Sequence, residues 1–439
     1  MNVCIVGAGW AGCAAAVEVA LAGHAVTLIE AAREPGGRAR TLATRRTDGS
    51  TLLLDNGQHI LIGAYTQCLR LMREVGVNPD TALHREPLAL VFPDGGGLAL
   101  PDLAAPLDAL VGIARARGWP ATERLALLAR ATRWALMRFR CAPHKSVAQL
   151  CRGLPERLMQ EFIAPLCVSA LNTPPGQASG QVFLTVLHDS LLGGRGSSNL
   201  LLPRLPLGAL LPEPALRWLQ ARGHAVRLGQ RVQALARVGS RWLVDGEAFD
   251  AVLLACPNTE AARLVGKAEA APSLLPRLQS WAQSAQALAF GAIATVYAEL
   301  PGATAPLLPR AMLALRSAPG QPAQFVFDCG RLRGHCGVLA FVVSAFAGER
   351  EALQEQVVRQ AAQQLGLAGL QVLQTVVEKR ATFACTPALV RPALAITPDL
   401  LACGDYVAGP YPATLEGAVR LGVAAARALQ GPDPDAALR

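Results

Sequence analysis

After three residues the chain runs into CIVGAGWAGCAA, Cys4 to Ala15, and no other stretch constrains the fold as tightly. Gly7, Gly9 and Gly12 stand at G-x-G-x-x-G spacing. A short apolar run before them (Asn2 to Val6) reads as a strand, and a small-residue run after them (Trp10 to Ala22) reads as a helix. In such a turn the first two glycines bend the chain and let the backbone approach a pyrophosphate. The third lets the helix lie against the strand, so that its unpaired N–H groups point at the phosphates. A second strand, GHAVTLIE, ends on Glu30, an acid at the distance that suits ribose hydroxyls. Gly7, Ala8, Gly9, Ala11, Gly12 and Glu30 are therefore expected to hold a dinucleotide. A glycine-rich turn that binds nothing would leave the strand, helix and acid at these spacings without a reason.

At 439 residues the chain is too long for one simple core and suits two or three lobes. With 52% apolar and 17% charged residues it reads as a folded protein. No apolar run reaches the roughly 18 residues that a spanning helix needs; LAAPLDALVGIA, for one, is broken by Pro106 and Asp108. The first residues carry no basic segment, and the glycine turn stands where a leader would be cleaved, so a cytoplasmic location is expected. The 11 cysteines form no C-x-x-C pair, which predicts reduced, buried thiols and neither a metal site nor a disulfide framework.

The net charge of +9 comes almost wholly from arginine. No nucleic-acid motif and no aromatic-rich basic strand accompanies it, so nucleic acid is not an expected partner. The arginines are densest between Ile113 and Arg140. There Leu125, Leu128, Ala129, Ala131, Thr132 and Leu136 follow helical spacing, flanked by Arg124, Arg130, Arg133, Arg138 and Arg140, with Trp119 and Trp134 nearby. Two readings stand side by side: a basic amphipathic helix lying on anionic headgroups, or a surface helix whose arginines are merely solvated.

The remaining rhythm predicts a mainly helical stretch over about 65–170 and a helix over Gly180–Leu192. Compact α/β alternation follows, with strands at Ala225–Leu228, Val232–Val238, Arg241–Val244 and Ala251–Ala255. Further strand candidates are Leu288–Leu300, Ala323–Cys329 and Val338–Phe346, then a helix over Glu349–Leu365. The layout implies a discontinuous nucleotide domain (1–75, 213–270 and 385–439) with two insertions, 76–212 and 271–384, forming a second lobe.

Two further elements decide between cofactors. In EPGGRART, Glu34 to Thr41, Gly37 allows another close backbone approach and Arg38 offers a planar cation suited to phosphate oxygens. Near the other end, LLACGDYVAGPYPATLEGAVRLGVAAARAL reads as strand Leu400–Cys403, the turn Gly404-Asp405, a proline-bearing loop and a helix from about Ala413. Gly417 and Gly422 keep one face of that helix thin. A long cofactor gripped at both ends fits this arrangement. Asp405 would accept hydrogen bonds from ribityl hydroxyls, and the helix amino end at Thr414 and Leu415 would face the electron-rich edge of a reduced ring. The Gly404-Asp405 segment speaks against a nicotinamide dehydrogenase.

With these motifs and LDNGQHILIGAY, the whole chain resembles the flavin-containing amine oxidase and phytoene desaturase superfamily. Within it, the chain is most similar to the squalene-associated, FAD-dependent hydroxysqualene dehydroxylases of hopanoid biosynthesis. The resemblance implies a Rossmann-type α/β FAD-binding domain with an inserted sheet-plus-helix substrate domain. It implies FAD held by the glycine turn, Glu30, Gly37 and Arg38, by the backbone at Val232, and by Gln58, Gly404, Asp405, Thr414 and Leu415. It further implies reduction of hydroxysqualene to squalene with loss of water and an isoprenoid lipid as substrate; a substrate dissolved in a membrane would give the basic amphipathic helix a use as a docking face on the membrane's inner side. Hydride from reduced FAD to an allylic cation is the expected chemistry. The proton that frees the hydroxyl is expected from Asp55 or His59, with a turn cap and a satisfied histidine as the alternatives. Tyr406 and Tyr411 flank the ring or merely pack, and Glu416 is expected to cap a helix. The low charge of ALAFGAIATVYAEL and LLLPRLPLGALLPEPAL suits a hydrocarbon better than an ammonium ion, and aromatics at 5% argue against an amine. The rivals are a desaturase or oxidase acting on a carotenoid-like lipid or an amine, and a non-catalytic isoprenoid-binding flavoprotein.

Overall fold

The structure, a computed structural model, describes residues 1–431. Five parallel strands make the central sheet, in the order Ala225–Leu228, Ala25–Glu30, Asn2–Val6, Ala251–Leu254 and Leu400–Ala402. Val3, Cys4, Ile5 and Val6 are buried, as the middle strand of a parallel sheet covered on both faces must be. The sheet draws on three separated stretches of chain, so the two ends of the sequence become neighbours. The helix Trp10–Leu21 packs along the terminal helix Leu415–Ala428. A Cβ on Gly422 would stand 2.2 Å from the carbonyl oxygen of Ala11, so only glycine permits this crossing.

A second, antiparallel sheet has the order Met312–Ala314, Phe325–Asp328, Val338–Phe346, Phe290–Glu299 and Gln371–Phe383. Alternation along Phe290–Glu299 splits its side chains between two faces. Ala294, Val296 and Ala298 join an apolar cluster with Phe341, Leu353 and Val357, the last two from the helix Arg350–Leu365. Thr295 and Tyr297 point the other way, towards the loop that follows the strand Thr51–Asp55. The architecture is thus an α/β parallel sheet with helices, joined to a mixed sheet-plus-helix lobe.

Three expectations about elements need correction. Gln371–Phe383 is a strand that the sequence pattern does not announce. It lies at the sheet edge, where QVLQTVVEKRATF needs no alternation to satisfy a single neighbour. The stretch 65–170 is interrupted by short strands at Leu83–Glu86, Ala89–Val91 and Gly97–Ala99, the last two forming a hairpin across Pro93 to Gly96. The strand expected from Val232 begins only at Leu235. No helix among the described residues is long and apolar enough to cross a membrane.

Candidate active site

The glycine turn ends the central strand. Gly7 has φ +111°, a conformation that L side chains avoid, and a Cβ on Gly12 would lie 1.8 Å from the Gly7 carbonyl oxygen. At Gly9 a Cβ would meet nothing within 4 Å, and Gly9 caps the helix Trp10–Leu21 without a side-chain hydrogen bond. The helix start is therefore open to an anion. Glu30, at the end of the neighbouring strand, accepts the Ala8 N–H at 2.6 Å and the Ala32 N–H at 2.8 Å. The second glycine element folds onto the first: the Gly36 N–H donates to the Ala8 carbonyl at 2.8 Å.

Arg38 and Asp405, 367 positions apart, form an ion pair across the site, and Arg38 also donates to the Ala381 carbonyl at 2.6 Å. Burial works against the Arg38 charge, and the Asp405 carboxylate more than compensates, holding its pKa above the ordinary value. Asp405 is thus tied to the same arginine that the sequence assigns to phosphate. Arg391, which sequence reasoning missed, shapes the loop around Asp405: it donates to the Val407 carbonyl at 2.8 Å and to the Gly409 carbonyl. Its partners are main-chain oxygens, which leave no mark in the sequence. Thr414 caps the terminal helix, its hydroxyl accepting the Gly417 N–H at 3.0 Å, and Leu415 is the first helical residue. Val232 is buried, with its carbonyl accepting from Arg263 at 2.7 Å.

The D-N-G-Q-H block is stitched to the G-G-R element by Asn56, which accepts the Arg40 N–H at 2.9 Å and donates to the Arg38 carbonyl at 2.8 Å. Asp55 is buried and ion-paired with Arg333, accepts the Leu207 N–H at 2.8 Å, and through its carbonyl takes the Tyr297 hydroxyl at 2.9 Å. Burial pushes the Asp55 carboxyl up while the Arg333 guanidinium pulls against it. His59 is taken down to a pKa of about 4 by burial, aided by the Arg38 charge and opposed by a hydrogen bond to the Arg38 carbonyl. Its ring is neutral at pH 7. Glu416 is wholly buried and caps a helix other than its own, accepting the Gln67 and Cys68 N–H groups of Thr66–Glu74 at 3.0 and 2.9 Å.

Three buried polar atoms around this site have no partner: Gln58 Nε2, Thr295 Oγ1 and Tyr406 Oη. A buried donor left unmet costs about 1–3 kcal/mol, so three together point to a polar ligand. Gln58 lies in the D-N-G-Q-H block and Tyr406 next to Asp405. Thr295 Oγ1 and His59 Nε2 lie 3.9 and 3.8 Å from where a Gly57 Cβ would stand. Thr295 is the hydroxyl that breaks the apolar run FGAIATVYAEL, a signal that the sequence held and that went unread. An open helix start, a slim glycine turn and unmet buried polar atoms suit the phosphates and polar ring of FAD.

Comparison with known proteins agrees. A family described as flavin containing amine oxidoreductase matches residues 10–430. The hydroxysqualene dehydroxylase of Rhodopseudomonas palustris is 30% identical, with 96% of each chain covered. The 15-cis-phytoene desaturase of Glycine max is 28% identical over 54% of this chain and 42% of its own length. Among solved structures, an oxidoreductase from Methanosarcina mazei superposes with a TM-score of 0.73 at 16% identity, over 96% of this chain and 99% of that one. The protein is an FAD-dependent oxidoreductase and belongs to the flavin containing amine oxidoreductase family.

Proposed function

We propose that the protein reduces hydroxysqualene to squalene with loss of water, as a hydroxysqualene dehydroxylase. The observation that carries this reading is the similarity to the Rhodopseudomonas palustris dehydroxylase along nearly all of both chains, whereas the likeness to the desaturase stops at about half. In this reading FAD, when bound and reduced, supplies a hydride. Gly7, Ala8, Gly9, Ala11, Gly12, Glu30 and Gly37 would hold its adenosine diphosphate half, with Arg38 beside them and Val232 at the adenine. Gln58, Gly404, Asp405, Thr414 and Leu415 would hold the rest. The discontinuous division into 1–75, 213–270 and 385–439 against two insertions belongs to the same proposal; residues 432–439 of the last segment lie outside the described residues.

Loss of water needs a proton on the departing hydroxyl, which fully reduced FADH2, when bound, would supply together with the hydride, and bulk water must be kept from the cation left behind. Of the two acid candidates, Asp55 is already engaged by Arg333 and the Leu207 N–H. We therefore assign orientation of the substrate hydroxyl to His59, whose neutral ring gives its one N–H to the Arg38 carbonyl and would accept from that hydroxyl with its other nitrogen, and positioning of the loop to Asp55. A hydrocarbon substrate and product would reside in a bilayer, so the reading also calls for contact with a membrane, at its cytoplasmic face.

Anaerobic mixing of photoreduced enzyme with hydroxysqualene tests the reaction. Reoxidation of the flavin with squalene formed in equal amount is the expected result. No turnover overturns it. Oxidised enzyme that instead takes two electrons and two protons from a partly saturated polyene, forming a new C=C bond, would turn the assignment to a desaturase.

A further inference from the structure

The helix Ala121–Leu136 buries Leu127 and Trp134 and turns its other side out. On that outer side Leu125 is 64% and Leu136 is 81% exposed, with Ala129 and Thr132 exposed between them. These four positions fall at i, i+4, i+7 and i+11, a single stripe of one helix. Four of the six positions at helical spacing in the sequence thus face solvent, while Leu128 packs against the core and Ala131 is half-buried, so that the helix exposes leucines on the side away from the protein. The preceding helix, Leu107–Ala114, packs against Ala121–Leu136 and does the same: Leu107 is 56% and Leu110 is 45% exposed, with Ala114 exposed one turn on.

Within 103–140 the exposed charges are of one sign. Arg115, Arg117, Arg133, Arg138 and Arg140 are exposed. The two acids between 103 and 140 are withdrawn: Asp108 is buried and takes the Ser198 hydroxyl at 3.1 Å, and Glu123 pairs with Arg157. Exposed leucines with exposed arginines close by in the sequence match a bilayer with anionic headgroups, where the leucines enter the acyl boundary and the guanidiniums meet phosphates.

We propose that Leu107–Ala114 and Ala121–Leu136 together form a docking face for an anionic lipid bilayer, with Leu107, Leu110, Leu125 and Leu136 as the inserted side chains. The choice of a bilayer rests on the lipid-substrate reading above; the exposure and charge of the face do not.

Flotation of the full-length, FAD-loaded protein with vesicles of phosphatidylcholine, with and without 30% phosphatidylglycerol (an arbitrary working fraction of about one third), tests it. Binding should require the anionic lipid and weaken with salt. Leu125→Glu with Leu136→Glu should reduce binding by about tenfold or more, whereas Val238→Glu, at another exposed apolar residue, should not. All variants should turn over detergent-dispersed hydroxysqualene like the parent, which separates failure of the docking face from failure of the assigned reaction. No binding by the parent, or unchanged binding by the double variant, overturns the proposal. So does a concentration-dependent dimer, seen by sedimentation, that the double variant abolishes: the face would then serve a second copy of the chain.

Discussion

His59 illustrates how burial, as the largest of several influences, sets the protonation of a side chain. The ring has an ordinary pKa of 6.5 and titrates near 4 in the folded protein. Between those values the unfolded chain binds a proton that the native state refuses. The stability tied to the neutral ring is therefore complete above pH 6.5 and drains away as pH falls towards 4, by about 3 kcal/mol at the end of that window. His59→Gln should flatten this slope. Thermal midpoints measured from pH 7.5 down to about 4.5 should fall more steeply for the parent than for the variant; parallel curves would reject the neutral-ring account. The same neutrality bears on chemistry, because an uncharged imidazole orients a hydroxyl and does not deliver a full positive charge to it.

At the scale of elements, the crossing of Trp10–Leu21 and Leu415–Ala428 matters to the proposed cofactor site, because that reading uses the starts of both helices. Gly422→Ala puts a methyl 2.2 Å from the Ala11 carbonyl oxygen, so the helices must part. Overpacking of this kind costs about 1–3 kcal/mol, and displaced helix starts should also release FAD more readily. Gly176→Ala, where a Cβ meets nothing within 4 Å, is the matched control. Urea midpoints equal for the two variants would show that the crossing tolerates a methyl. The thin face of the last helix was legible in the sequence from Gly417 and Gly422, and the glycine turn from its local spacing, whereas the partner helix was not. What escaped was non-local. Gln371–Phe383 is specified by its neighbour Phe290–Glu299 and shows no pattern of its own. Arg391 works on carbonyls. The apolar stripe of Ala121–Leu136 was visible, but nothing local told which side of it the rest of the protein would cover.

For the whole molecule, the decisive contact is the one between Asp55 and Arg333, 278 positions apart. Asp55 ends the strand Thr51–Asp55 and begins the loop carrying Gln58 and His59. Arg333 ends the short helix Cys329–Arg333 beside the antiparallel sheet, and Tyr297 of that sheet holds the Asp55 carbonyl. One buried charge pair thus fixes the loop relative to the sheet that bears Thr295. Both partners lie out of water, so removing either leaves a charge with no solvent to receive it, at a cost of about 3–5 kcal/mol. Arg333→Met should be destabilised to that extent. Adding Asp55→Asn should recover part of the loss, because the amide carries no charge and its oxygen can still accept from Leu207. If the pair merely holds the fold, FAD fluorescence and circular dichroism will change together on heating. If it sets the loop, as the geometry implies, Arg333→Met will release FAD at a lower temperature than that at which its helices melt, and the parent will not. Coincident transitions in both proteins would reduce the pair to scaffolding.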